Sequence, residues 1–159
     1  MTPPFEKLPG VTGVVSGYIG GTKPDPTYED YAASGHIEAV KVTYDSAKIT
    51  YSKLLDVFWM QIDPTDPGGQ FGDRGPQYRS AIFYLNDEQK ALAEKSKEAL
   101  AKSGRFKKPV TTEILRATAF YPAEDYHQDY YKKNPIWYKF YRYGSGRDQF
   151  LEKAWGNLR

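Results

Sequence analysis

A length of 159 residues suits one domain, and 40% hydrophobic with 26% charged residues is an ordinary balance for a soluble globule. The net charge of +2, with Lys and Arg scattered except at Lys107-Lys108 and Lys132-Lys133, argues against nucleic acid as a partner. Cysteine is absent, so disulfides, thiolate metal sites and a thiol nucleophile are excluded from what these residues do by themselves.

The amino end, Met1-Thr2-Pro3-Pro4-Phe5-Glu6-Lys7, lacks the basic start and apolar centre of a signal peptide, and no apolar run approaches a membrane span. The cytoplasm is therefore the expected compartment. Pro3 to Leu8 predicts a short helix stopped by Pro9-Gly10, and Val11 to Ile19 a strand closed by the turn Gly20-Gly21. Thr22 to Ser34, with Pro24, Pro26, Thr27, Tyr28 and Tyr31, reads as a functional loop. A strand follows from Glu38 to Tyr44, and its period of two sets Glu38, Val40, Val42 and Tyr44 on one face, with Ala39, Lys41 and Thr43 on the other. That parity aims a carboxyl at the apolar side, where desolvation should raise its pKa and let it donate a proton near neutral pH.

Thr50 caps a helix reaching about Gln61, whose stripe of Leu54, Leu55, Phe58 and Trp59 is core. Asp63 to Pro76 has no periodicity, and its Gly, Pro and Asp content predicts a second functional loop. It feeds a strand from Gln77 to Leu85, apolar on both faces after Ser80 and hence interior to a sheet. Asn86 caps a helix to Ser103, with Gln89 in the manner of a capping box and Gly104 as the stop. Val110 to Leu115 is a further strand, Pro122 opens a helix over Glu124 to Tyr131, and Asp148 to Trp155 forms a last helix with Phe150, Leu151, Ala154 and Trp155 on one face. Strands alternating with helices imply an α+β fold, a two-layer sandwich with a mixed sheet.

The aromatic load, 14 Tyr, 8 Phe and 3 Trp, suits a cleft that is apolar yet rich in hydroxyl donors. There is no glycine-rich phosphate loop, no Gly-x-Ser-x-Gly elbow and no His-Glu-x-x-His. Two histidines, His36 and His127, are weak grounds for a metal site, and none is expected.

Six runs in order carry a specific resemblance: Pro4 to Val11, Gly17 to Gly21, Pro26-Thr27-Tyr28, Gly35-His36-Ile37-Glu38, Gly72 to Ser80 with Asp73-Arg74-Gly75-Pro76-Gln77-Tyr78, and Phe120 to Gln128. The chain resembles the A-type peptide methionine sulfoxide reductases over almost its full length. That resemblance implies reduction of the S epimer of methionine sulfoxide, free or in proteins, on a ferredoxin-like core with no bound cofactor and an external thiol reductant such as thioredoxin. It implies Glu38 as the acid near the sulfoxide oxygen, Tyr28 and Tyr78 as hydroxyl donors to that oxygen, and Asp73 as a supporting residue. A neutral carboxyl and two phenols would stabilise the charge that develops as a thiolate attacks sulfur.

The family's Gly-Cys-Phe-Trp run, whose Cys attacks the sulfur, is not in this sequence, nor is a resolving cysteine present from Tyr141 to Arg159. By the resemblance, the nucleophile, Cys or selenocysteine, and the central first strand that bears it are expected upstream of Met1. The chain as given is then expected to be inactive alone. The alternative is a cysteine-free relative that binds oxidised methionine without reducing it.

Overall fold

In the structure, a computed structural model, residues 2–124, 128 and 144–156 are described. The β-branched run Val11–Ile19 forms β1, as its composition predicts. It pairs antiparallel with β2, Ile37–Tyr44, from Val11 opposite Tyr44 to Ile19 opposite Ile37. The predicted parity of β2 holds, since Val40, Val42 and Tyr44 pack on Phe5, Ile49 and Leu54. Phe5 comes from α1, Thr2–Glu6, where prolines occupy a first turn that needs no backbone donors.

Thr50 caps the next helix, α2 (Tyr51–Trp59), by accepting from the Lys53 N–H at 3.1 Å. Leu54 of α2 joins the Phe5 cluster, whereas Leu55 and Trp59 join Ile62, Ile82, Ala93 and Leu100 in a second one. Trp59 Nε1 also donates to Ser96 Oγ at 2.7 Å. Leu100 and Ser96 lie on α3, Asp87–Lys102, whose cap Asn86 accepts from the Gln89 N–H at 2.9 Å. The Gln89 side chain reaches back one residue further than a capping box requires, accepting from the Leu85 N–H at 2.8 Å.

The region Asp63 to Pro76 folds about a two-residue hairpin, β3 (Gly69–Gln70) against β4 (Asp73–Arg74). The predicted strand from Gln77 is corrected: Pro76–Tyr78 is a 3-10 turn, and β5 spans only Ala81–Tyr84. Arg79 fixes that turn by donating from Nη1 to the Pro76 carbonyl at 2.9 Å. The strand expected over Val110 to Leu115 is instead β6, Glu113–Arg116, parallel to β5. Thr111 is taken out of the ladder because its N–H donates to the Pro64 carbonyl at 2.7 Å.

Phe120–Pro122, too short to show alternation, is β7 and pairs with the far end of β1, at Tyr18 opposite Tyr121. Pro122 thus ends an edge strand, where its missing N–H is tolerated, and of the helix expected over Glu124 to Tyr131 residues 125–127 and 129–131, His127 among them, lie outside the described residues. The last helix, α4, is Arg147–Trp155. No helix among the described residues is long and apolar enough to cross a membrane.

The class is mixed α+β, and in place of one mixed sheet there are three small ones: β2-β1-β7, β3-β4 and β5-β6. Among the described residues the outer edges of β2 and β5 have no strand partner. Between them runs a groove of about 480 Å³, walled by Ile37–Val42 and by Ser80–Phe83 and floored by Tyr51, Leu54, Leu55 and Phe58 of α2.

Candidate active site

The loop from Thr22 to Ser34 is organised by a histidine. His36 is 2% exposed; its Nδ1 accepts from the Gly21 N–H at 3.1 Å, and its Nε2 contacts the Lys23 carbonyl at 2.8 Å. An Nδ1 that accepts leaves the hydrogen on Nε2, so the ring is the neutral tautomer and both nitrogens are spent on backbone. Gly21 is needed because a Cβ there would sit 2.5 Å from the ring. Asp30 accepts from the Thr27 N–H at 2.8 Å and pairs with Lys23, which winds Thr27 to Ser34 into turns and sets Tyr28 and Tyr31 side by side.

Tyr31 points inward and Tyr28 outward. Tyr31 is 2% exposed and stacks on Tyr18 with ring centroids 4.4 Å apart, while Tyr28 is 46% exposed with its ring 6.1 Å from that of Tyr31. Tyr18 lies opposite Glu38 in the β1–β2 register, so the two side chains share a face. The Tyr18 hydroxyl donates to Glu124 Oε1 at 3.2 Å, and Glu124 Oε2 accepts from the Tyr28 N–H at 3.2 Å. The Tyr31 hydroxyl lies 3.4 Å from Glu38 Oε2, joining loop and strand at the mouth of the groove.

The opposite wall comes from the Asp63 to Pro76 region. Gln70, 7% exposed, accepts from the Asp63 N–H at 3.0 Å and donates to the Asp63 carbonyl at 2.8 Å. Arg74 forks onto Asp66 at 2.5 and 3.0 Å. The tip residue Phe71 has a left-handed φ of 53° and packs under the Arg147 guanidinium and against Phe150. These ties present Asp73 and Tyr78 to the groove.

Glu38, Asp73 and Tyr78 therefore line one groove, and Tyr28, though not in its lining, is close enough to act on the Tyr78 phenol. Burial pushes the Tyr78 phenol up, its hydrogen bond with Tyr31 lowers it, and the neighbouring Glu38, Tyr28 and Asp73 raise it further. Glu38, Tyr28 and Asp73, the other residues singled out in the sequence, are thus each electrostatic neighbours of Tyr78. Burial, the hydrogen bond to Tyr78 and the charge of Glu38 hold the Tyr31 phenol far above the ordinary range. One expectation is corrected: Glu38 is exposed. Its side chain borders the open groove beside β2, so the burial expected from strand parity is not in place. Tyr31, Tyr18 and Glu124 were missed as site residues. The pairing of Tyr18 with Glu38 could have been reached by aligning the two strands, but the fold of the loop over them could not.

The sequence model of the family described as peptide methionine sulfoxide reductase matches residues 1–159. The chain belongs to this family. It is 59% identical over 158 residues to the peptide methionine sulfoxide reductase MsrA of Halalkalibacterium halodurans, covering 98% of this chain and 90% of that protein. Against the MsrA of Bacillus subtilis the identity is 56% over 158 residues, covering 98% and 89%. Among solved structures, methionine sulfoxide reductase A of Corynebacterium diphtheriae superposes with a TM-score of 0.70 at 36% identity, over 83% of this chain and 68% of that one. Reduced Mxr1 of Saccharomyces cerevisiae gives a TM-score of 0.74 at 30% identity, over 79% and 73%. The reaction of a methionine sulfoxide reductase is the reduction of methionine sulfoxide to methionine, and these likenesses support that reading over a relative that binds without reducing.

Proposed function

We propose that Glu38, Tyr28, Tyr78 and Asp73 are the sulfoxide-handling part of a reductase for the S epimer of methionine sulfoxide, free or in proteins. The observation that carries this is the meeting of Glu38, Asp73 and Tyr78 on one groove in a chain of this family. Glu38 acts as the acid, Tyr78 and Tyr28 donate hydrogen bonds to the sulfoxide oxygen, and Asp73 sets the polarity around Tyr78. An attacking thiolate or selenolate bonds to the sulfoxide sulfur while Glu38 gives its proton to the oxygen; the S–O bond then breaks as the hydroxyl passes to the nucleophile, which departs as a sulfenic or selenenic acid and leaves the bonding pair on the methionine sulfur. The substrate sulfur gains two electrons and becomes methionine. An external thiol, thioredoxin-like in a reducing cytoplasm, then converts the oxidised nucleophile through a disulfide and releases water.

The nucleophile must come from outside these residues, since none is a cysteine. The groove is the place for it. Among the described residues its two walls are strand edges without a ladder partner, and Tyr51, on its floor, has a buried hydroxyl that makes no hydrogen bond. Burial, with Tyr44 nearby, raises that phenol to about 12, so it stays a donor. A strand laid between β2 and β5 would satisfy both edges, join the separate sheets into one ferredoxin-like sheet, and shield Glu38 from water. The 159-residue chain by itself is then inactive.

Assaying methyl sulfoxide reduction with dithiothreitol tests this, using the chain alone and the chain preceded by a strand ending in Gly-Cys-Phe-Trp. Turnover is expected only from the second. Turnover by the chain alone would overturn the proposed chemistry.

A further inference from the structure

Between the acid and the phenol of the groove stands Tyr31. Its hydroxyl lies 3.4 Å from Glu38 Oε2 and interacts with the Tyr78 phenol, and its ring is stacked on that of Tyr18. A phenol has one hydrogen and oxygen lone pairs, so Tyr31 donates to one neighbour at a time and is free to accept from the other. We propose, resting on the reading of Glu38 as acid and Tyr78 as donor, that Tyr31 is a positioning residue whose hydroxyl rotor couples the protonation of Glu38 to the direction of the Tyr78 hydrogen.

With Glu38 neutral, its O–H is donated to the Tyr31 oxygen and the Tyr31 hydrogen goes to the Tyr78 oxygen. The Tyr78 hydrogen is then left to point into the groove, where the sulfoxide oxygen binds. With Glu38 ionised, the Tyr31 hydrogen turns to the carboxylate, and the Tyr78 hydrogen falls back on the Tyr31 oxygen, away from substrate. No proton leaves either phenol in this exchange; only orientations change. The acid and the donor are thereby armed together, in the same protonation state. Tyr31 suits the role because burial and its neighbours keep it neutral in both states. Around its hydroxyl stand Glu38, Tyr78 and Tyr28; Asp73 adjoins Tyr78, and Glu124 binds the Tyr18 hydroxyl beneath the stack.

The test needs no turnover and uses the 159-residue chain itself. Carbon-13 labelled glutamate carboxyls are titrated by NMR in the wild type, Tyr31→Phe, Tyr78→Phe and the double variant. Tyr78→Phe is expected to move the Glu38 midpoint when Tyr31 is present and to leave it unmoved in the Tyr31→Phe background, because the coupling runs through one hydroxyl. An equal shift in both backgrounds overturns the proposal. Phe keeps the stack on Tyr18. Should Tyr31→Phe nevertheless fail to fold, the deuterium isotope shift at the Tyr31 phenolic carbon decides: a step at the Glu38 midpoint that is absent from Glu38→Gln supports the rotor, and a flat trace refutes it. An inactive strand-bearing chain would sink the sulfoxide reading and leave these titrations unchanged, so the two failures are distinguishable.

Discussion

His36→Ala should cost the fold about 3 kcal/mol, and the loss should be local. The wild-type ring is 2% exposed and spends both nitrogens on backbone, so the variant strands the Gly21 N–H and the Lys23 carbonyl. A buried group left unpaired costs about 1–3 kcal/mol, which gives about 2–6 for two before the emptied ring volume is counted. The Lys23 side lies on an exposed loop and recovers part of its bond from water, which brings the sum to the lower half of that range. Urea unfolding gives the midpoint shift, and hydrogen exchange should show the amides of Thr22 to Ser34 opening well before those of β1 and α3. The loop carries Tyr28 and Tyr31, so a nucleophile-bearing form should also lose activity with this variant. A loss below about 1 kcal/mol, with unchanged exchange in the loop, would refute the assignment of His36 as the pin of the site.

In a nucleophile-bearing form, Glu38→Gln should lose about 10²-fold to 10⁴-fold in the chemical step with little change in binding, and a near-normal rate would end the assignment of the acid. Tyr78→Phe should cost more than Tyr28→Phe, because Tyr78 lines the groove and Tyr28 is 46% exposed outside it; a kinetic double-mutant cycle should show the pair worse than additive. Arg74 holds the Asp66 carboxyl below its ordinary 3.8, so the ion pair stabilises the fold fully above that value and is lost as pH falls through the lowered one. Asp66→Asn should therefore lower the melting temperature at pH 7 by more than it does in acid below pH 3.8, the difference shrinking as the pH falls, and a loss independent of pH would contradict the pairing.

What could be read from the sequence were features fixed by local pattern. Val11–Ile19, rich in strand-forming residues and closed by Gly20-Gly21, was legible to its observed ends, and Thr50 and Asn86 announced their helices by cap chemistry. Elements made by long-range contacts were hidden: Phe120–Pro122 is a strand only because β1 offers it an edge, and Gln77 leaves the strand because Pro76 and Arg79 close a turn on it. The face of Glu38 was legible from parity, but its exposure was not. Exposure depends on whether a neighbouring strand fills the groove, which no property of Gly35 to Tyr44 encodes.

Leu54 and Leu55, adjacent on α2, anchor opposite walls of the groove. Neighbouring helical residues point about 100° apart, so one rigid rod acts as the keel from which both walls rise. The spacing of the strand edges then cannot be retuned from one side. A bulkier residue in either cluster rolls the keel and tilts both walls together, and a change that keeps the site aligned needs a matching change in the other cluster. Variation at these two core positions should be correlated even though the clusters they serve face apart.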